Sequence, residues 1–296
     1  MQAITWMSGT LASFCLMAIG ARELAGELSI FQTLFFRSVI GLLCISLVIL
    51  FSKGNISIQT EKLGLHTFRN IFHFIGQYGW FLGIGLLPLA EVFALEFTVP
   101  IWTLIVAAVF LGEAITIPKV ISVVLGMAGV LVIVQPGYAI VDSASFIVLA
   151  SAFCYAISHT STKSLSTSEP AISILFYMCL IQLPIGLALS LANWSWPIGE
   201  QWFWLTLIGL TALSAHYCMA KAMQYAEVTT VVTIDFLRLP LIAIVGIFIY
   251  SEQFEVSLIL GGLLMLIGNL VRIRPLRQTT NIEPNMNDEQ KARTST

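Results

Sequence analysis

Five ionisable side chains interrupt otherwise apolar runs of this sequence: Arg37, Glu91, Glu96, Asp235 and Arg238. A charge placed in hydrocarbon is costly unless it is paired or faces water, so each of the five is a candidate functional group. Asp235 and Arg238 stand at i and i+3, close enough on one helical face to pair as a structural bridge. If Glu96 and Asp235 instead face a central cavity, at least one of them binds a cationic group of a solute or takes up a proton. Arg37 has no acid within helical reach along the chain. Its partner must come from another helix, from water, or from a carboxylate or phosphate, which suits the planar guanidinium fork. Glu91 is expected nearer the outer end of its helix.

His73, Gln77 and Trp80 form a second set at i, i+4 and i+7, a polar and aromatic stripe down one side of a helix. Aromatic rings and hydrogen-bonding amides suit a planar or cationic solute through stacking and cation–π contact. The same spacing also serves plain packing, with His73 bonded to a neighbouring helix. Pro100 and Pro240 lie inside apolar runs, where each frees a backbone carbonyl and permits a kink that acts as a hinge or shapes a cavity. His159 is expected at an interface near the cytoplasmic end of its helix.

What must position these groups follows from composition. Of 296 residues, 57% are hydrophobic and 10% charged, against roughly a quarter charged in a soluble domain. Segments of about 20 apolar residues cross about 30 Å of hydrocarbon as helices. Ten meet this length: 3–21, 30–52, 66–87, 89–111, 117–135, 143–163, 170–192, 201–222, 228–250 and 256–274. Turn-forming residues separate most of them, including Lys53-Gly54-Asn55, Pro88, Pro118, Pro136-Gly137 and Glu169-Pro170. The first segment is read as a retained span, because no positive charge precedes it and further apolar segments follow.

With the N-terminus inside, every lysine falls in the cytoplasm together with Arg69, Arg272, Arg274, Arg277 and Arg293; Arg22 alone lies outside. That asymmetry is the positive-inside pattern and supports ten spans with both termini cytoplasmic. Residues 276–296 turn polar and are expected to form a flexible tail.

Sliding the chain against itself so that Gly76 to Pro136 lies on Ala215 to Pro275 aligns Tyr78 with Tyr217, Phe97 with Phe236, Glu113 with Glu252, Gly129 with Gly268 and Pro136 with Pro275. The same register sets Gln77 opposite His216 and Glu96 opposite Asp235. Five spans per half is an odd number, so the halves insert in opposite senses, the inverted repeat on which many secondary carriers are built. The chain is therefore expected to be an all-α membrane protein of two inverted five-helix repeats, residues 1–136 and 137–275.

Several function classes lose support. The net charge of −2 argues against a nucleic-acid partner, as does the lack of any Lys/Arg-rich run apart from Arg272, Arg274 and Arg277, which read as anchors at the end of a helix. No HExxH, GxSxG or Asp/His cluster marks an enzyme, and no nucleotide-binding loop or cofactor motif occurs. Cys15, Cys44, Cys154, Cys179 and Cys218 form no CxxC spacing and read as small apolar fillers. No span is polar along one full face, as a channel would need.

The segments Leu87-Pro88-Leu89-Ala90, Ala94, Pro100 and Leu111-Gly112-Glu113 resemble the pattern running from the third to the fourth span in the EamA family of the drug/metabolite transporter superfamily. Ala226-Glu227, Pro240 and Tyr250-Ser251-Glu252 repeat it more loosely, with Pro100 and Pro240 one position out of register. The resemblance covers residues 3–275. Phe35-Phe36-Arg37, the stretch Phe97 to Glu113 and Leu175-Phe176-Tyr177 are most similar to the S-adenosylmethionine carriers of that superfamily.

The resemblance implies a secondary transporter in a bacterial inner membrane that moves a small polar or charged metabolite by alternating access, coupled to a proton or to exchange. S-adenosylmethionine, riboflavin and amino acids are the solutes it points to. A scaffold or receptor that transports nothing is the reading of another class, and it would leave the symmetric halves and central charges without a purpose. The residues expected to contact solute or proton are Arg37, His73, Gln77, Trp80, Glu96, His216, Tyr217, Asp235 and Arg238, with Pro100 and Pro240 as hinges. Partners are a small solute and the lipid bilayer; oligomeric state is left open.

Overall fold

The computed structural model describes residues 2–52, 58–87, 92, 95–134, 143–250 and 256–273. The expectations placed on Lys53-Gly54-Asn55, Pro88, Glu91, Ala94, Pro136, Ser251, Glu252, Arg274, Pro275, Arg277 and the tail 276–296 lie outside these residues. Among the described residues the regular structure is helical throughout. The helices are α1 (Gln2–Glu23), α2 (Ile30–Phe51), α3 (Leu63–Leu86), α4 (Val99–Leu111), α5 (Ile117–Val134), α6 (Ser143–Ser166), α7 (Ala171–Ser190), α8 (Gln201–Tyr225), α9 (Val228–Ile234), α10 (Arg238–Tyr250) and α11 (Val256–Ile273).

Local sequence explains several boundaries. The Ser29 hydroxyl accepts from the Gln32 amide at 3.2 Å and starts α2. Gly112, at φ +68°, ends α4 in the left-handed conformation that costs glycine nothing. The expected single span 228–250 is instead broken: α9 gives way to a tight turn, Asp235–Leu237, before α10 resumes. Pro240 is the cause, because its ring conflicts with the carbonyl four residues back, at Phe236. Pro100 acts alike, with a turn at Phe97 and Thr98 before α4 begins at Val99.

Five of these helices are long and apolar enough to cross a membrane: α1, α2, α6, α7 and α8. Among the shorter apolar helices are stretches of α4, α5 and α11. Length alone would qualify α3, but it carries His66, Arg69, Asn70, His73 and Gln77, all of them buried. The molecule is accordingly apolar outside and polar within. Leu50, Phe51 and Phe248 are 73%, 77% and 83% exposed, whereas Gln32, His66, Asn70 and His73 are fully buried. Water would not tolerate so much exposed hydrocarbon, and lipid would.

The pairing of helices joins the two halves of the chain. α1 packs along α8, α3 along α6, α2 along α7 and α5 along α11, while α4 meets α9. Small residues set the closest of these contacts. A Cβ on Gly129 of α5 would stand 2.6 Å from the Gly261 carbonyl oxygen of α11, and one on Gly79 of α3 would collide with the Ser151 hydroxyl of α6.

Candidate functional site

The two broken places, before Pro100 and before Pro240, face one another across a central cavity of about 40 Å³. Its wall includes Gln77 and Trp80 from α3, Glu96, and Asp235 and Arg238 from the second break. The Arg238 Nη2 donates to Glu96 Oε1 at 2.6 Å and lies 3.1 Å from Asp235 Oδ2. The other oxygen of Glu96 accepts the Trp80 indole N–H at 2.7 Å. The Phe14 and Phe97 rings flank the guanidinium, with centroids 5.1 and 5.4 Å from its carbon. One buried cation therefore meets two carboxylates. Asp235 Oδ1 keeps no hydrogen-bond partner among the described residues, which leaves the cavity with an acid to spare. That surplus is what a cationic solute group or a proton would neutralise.

The rest of the wall is aromatic. Tyr155 and His159 of α6 stack with centroids 6.1 Å apart, and the His216 ring meets Phe14 edge to face at 5.3 Å. Such rings suit a planar partner. A cavity of about 40 Å³ admits only a few waters.

Placement of the expected residues is uneven. Gln77, Trp80, Glu96, Pro100, His216, Asp235 and Arg238 all line the cavity. His73 does not: it is fully buried behind His216, with its Nδ1 2.8 Å from the Gln182 amide nitrogen. Tyr217 faces away and meets Trp6 edge to face at 5.8 Å, one residue of helical rotation having turned it out of the site. Pro240 packs beside Gly262 of α11. Arg37 sits in a separate buried group.

Two expectations are corrected. Arg69, assigned to the cytoplasm, is 2% exposed within α3, because the helix already starts at Leu63 and carries it inward. His159, expected at an interface, lines the cavity instead. Phe14, Tyr155 and Met219 also line it without having been singled out. The one signal in the sequence was the i, i+4 pair Tyr155 and His159.

A polar-centred helical bundle with an apolar exterior, whose ion cluster sits where two interrupted helices meet, defines a multi-pass membrane transporter of small metabolites. Comparison with known proteins makes the assignment specific: the chain belongs to the EamA-like transporter family, which matches residues 1–135 and again 142–273. It is 24% identical over 270 residues to the S-adenosylmethionine uptake transporter of Rickettsia felis, covering 91% of this chain and 92% of the relative. It is 28% identical over 246 residues to the riboflavin transporter of Brucella anthropi, covering 81% and 86%. The pseudopaline exporter of Pseudomonas aeruginosa is 24% identical over 262 residues, covering 87% and 92%. A solved crystal structure shares the fold with a TM-score of 0.77 at 16% identity, over 92% of this chain and 96% of that one. These named relatives are transporters, and the protein is a transporter and not an enzyme.

Proposed function

We propose that the protein is a secondary carrier of a bacterial inner membrane, moving a small metabolite with a cationic group and a planar ring, as S-adenosylmethionine has, by alternating access. The observation that carries this reading is the acid surplus of Glu96 and Asp235 over Arg238 in an aromatic cavity. Binding a cation there satisfies Asp235 Oδ1, and the Trp80, Phe97 and Tyr155 rings supply stacking and cation–π contact. Riboflavin, also planar, is the second reading that the aromatic wall favours.

In this proposal ten spans form two inverted repeats, residues 1–136 and 137–275, with both termini cytoplasmic. The pairing of helices supports it. Exchanging each helix for its counterpart in the other half turns the α1–α8 contact into the α6–α3 contact and maps the α2–α7 and α5–α11 contacts onto themselves. Interrupted helices at equivalent places, with ionisable groups at the breaks, are a recurring carrier design. Access from one end is closed by a latch. Glu113, beyond α4, accepts from the Val228 amide at 3.0 Å and the Thr229 hydroxyl at 2.8 Å. Lys119 of α5 bridges Glu113 at 3.4 Å and Glu227 at 3.0 Å. Releasing this latch while the opposite end closes is the alternation proposed.

The test is uptake into proteoliposomes of labelled S-adenosylmethionine, riboflavin and amino acids, with and without a proton gradient. Saturable uptake of S-adenosylmethionine is expected. Uptake of anionic or aliphatic solutes alone, from folded protein, would overturn the cation-and-ring reading.

A further inference from the structure

A second group of buried charges lies where α2, α3 and α7 meet. Arg37 is 3% exposed, and its Nε and Nη2 have no hydrogen-bond partner among the described residues. Among the described residues Arg69 is held by neutral acceptors: its Nε donates to the Thr162 hydroxyl at 3.1 Å and its Nη1 to Asn70 Oδ1 at 2.7 Å. The same Asn70 oxygen accepts from Gln182 Nε2 at 3.1 Å, and that amide nitrogen lies 2.8 Å from His73 Nδ1. With Nδ1 accepting, neutral His73 carries its proton on Nε2, and this buried nitrogen also lacks a partner. Among the described residues neither guanidinium forms an ion pair with a carboxylate.

This group is the electrical complement of the central cavity, where acids outnumber the base. The two adjoin. Tyr155 and His216 line the central cavity, and their rings lie 5.9 and 4.7 Å from the His73 ring behind them. A cavity of about 10 Å³ beside Arg37 is bounded also by Ser38, Cys179 and Gln182. Unpaired buried donors on the Arg37 cation and on neutral His73 call for an anion with several acceptor oxygens, and the guanidinium fork fits a carboxylate or phosphate.

We propose that Arg37, with Gln182 beside it and His73 and Arg69 joined to Gln182 directly or through Asn70, is an oxyanion subsite that receives the carboxylate or phosphate of the solute while the remainder occupies the central cavity. The inference rests on the transport reading above and narrows its substrate class to solutes that carry an acid group. The cavity has room for about one water, so the oxyanion enters as α2 parts from α7. Gly41 marks the contact that loosens, since a Cβ there would stand 2.6 Å from Cys179 Sγ.

The experiment is thermal melting of the purified full-length protein in detergent with paired probes: S-adenosylmethionine against its decarboxylated form, riboflavin 5′-phosphate against riboflavin, and inorganic phosphate against chloride. The acid-bearing member of at least one pair is expected to bind about tenfold more tightly, the worth of one charge-assisted contact. Preference in the first pair identifies a carboxylate, and in the others a phosphate. Arg37→Gln should abolish the preference while the melting temperature without ligand holds or rises. If that variant does not fold, Arg37→Lys, which keeps the charge and loses the fork, should lessen the preference severalfold. Equal binding within every pair, a preference that survives substitution of Arg37, or no stabilisation by any acid-bearing probe would overturn the proposal. Melting requires no movement across a membrane, so failure of uptake and failure of this subsite are read separately.

Discussion

Arg238 is shared unequally by its two acids, and the inequality separates their roles. Glu96 makes the shorter contact, at 2.6 Å, and is itself fixed by Trp80. Wholly breaking a buried ion pair costs about 3–5 kcal/mol, and Asp235 would retain part of it. Glu96→Gln is therefore expected to lower stability by about 1–3 kcal/mol, measured as a fall in the melting temperature of purified protein. Asp235→Asn leaves the main bridge intact and removes the spare acid. It should melt close to the parent protein while uptake of a cationic solute falls about tenfold or more, the loss of a single charge contact. Parental uptake by Asp235→Asn would remove the spare acid from the mechanism. The Asp235–Arg238 pair could be read from i, i+3 spacing alone, and the place of Glu96 opposite it followed from the repeat register. The aromatic wall could not. Phe14, Tyr155 and Met219 have the same helical spacing whether they face lipid, a neighbour or a cavity, and only the packing of α1, α6 and α8 decides which.

At the scale of helices, the apolar runs predicted helix ends to within a few residues except at 89–111, where α4 begins only at Val99, and the interruption of 228–250 was harder to see. Both prolines were legible as kink sites, but the tight turn at Asp235–Leu237 depends on how the backbone relieves the Pro240 ring. A proline in a helix interior costs about 3 kcal/mol relative to alanine. That cost is avoided here, because Pro100 is the second residue of α4 and Pro240 the third of α10, both in a first turn where proline is tolerated. Pro100→Ala and Pro240→Ala should therefore leave the melting temperature equal or slightly higher. If the breaks serve as hinges, both should slow uptake despite equal or greater stability. Uptake at the parental rate in both would reduce the prolines to shaping the cavity. The α3 helix gives the other lesson: its composition resembles that of a soluble helix because its polar residues turn inward, and hydropathy cannot tell inward polarity from exposure to water.

For the molecule as a whole, the latch at Glu113, Lys119 and Glu227 ties the end of α4 and the start of α5 to the start of α9, across the two halves of the chain. Lys119→Ala should favour the form open at that end. With Met219→Cys as a reporter in a cysteine-free background, an impermeant thiol reagent applied from the side of the latch, cytoplasmic in the proposed orientation, is expected to label Lys119→Ala faster than the parent. Unchanged labelling would mean that this end is held by packing alone.

The unpaired guanidinium of Arg37 bears on the kinetics of turnover. In the proposed cycle the empty protein, each time it passes through its closed shape, holds a charge with no counter-ion among the described residues in a poorly polarisable interior, at a cost of about 2.5–3.5 kcal/mol or more. A bound acid group removes that penalty, so the loaded form should reorient faster than the empty one. One-for-one swapping across the bilayer would then outpace net accumulation, and vesicles preloaded with unlabelled solute should take up labelled solute faster than empty vesicles do.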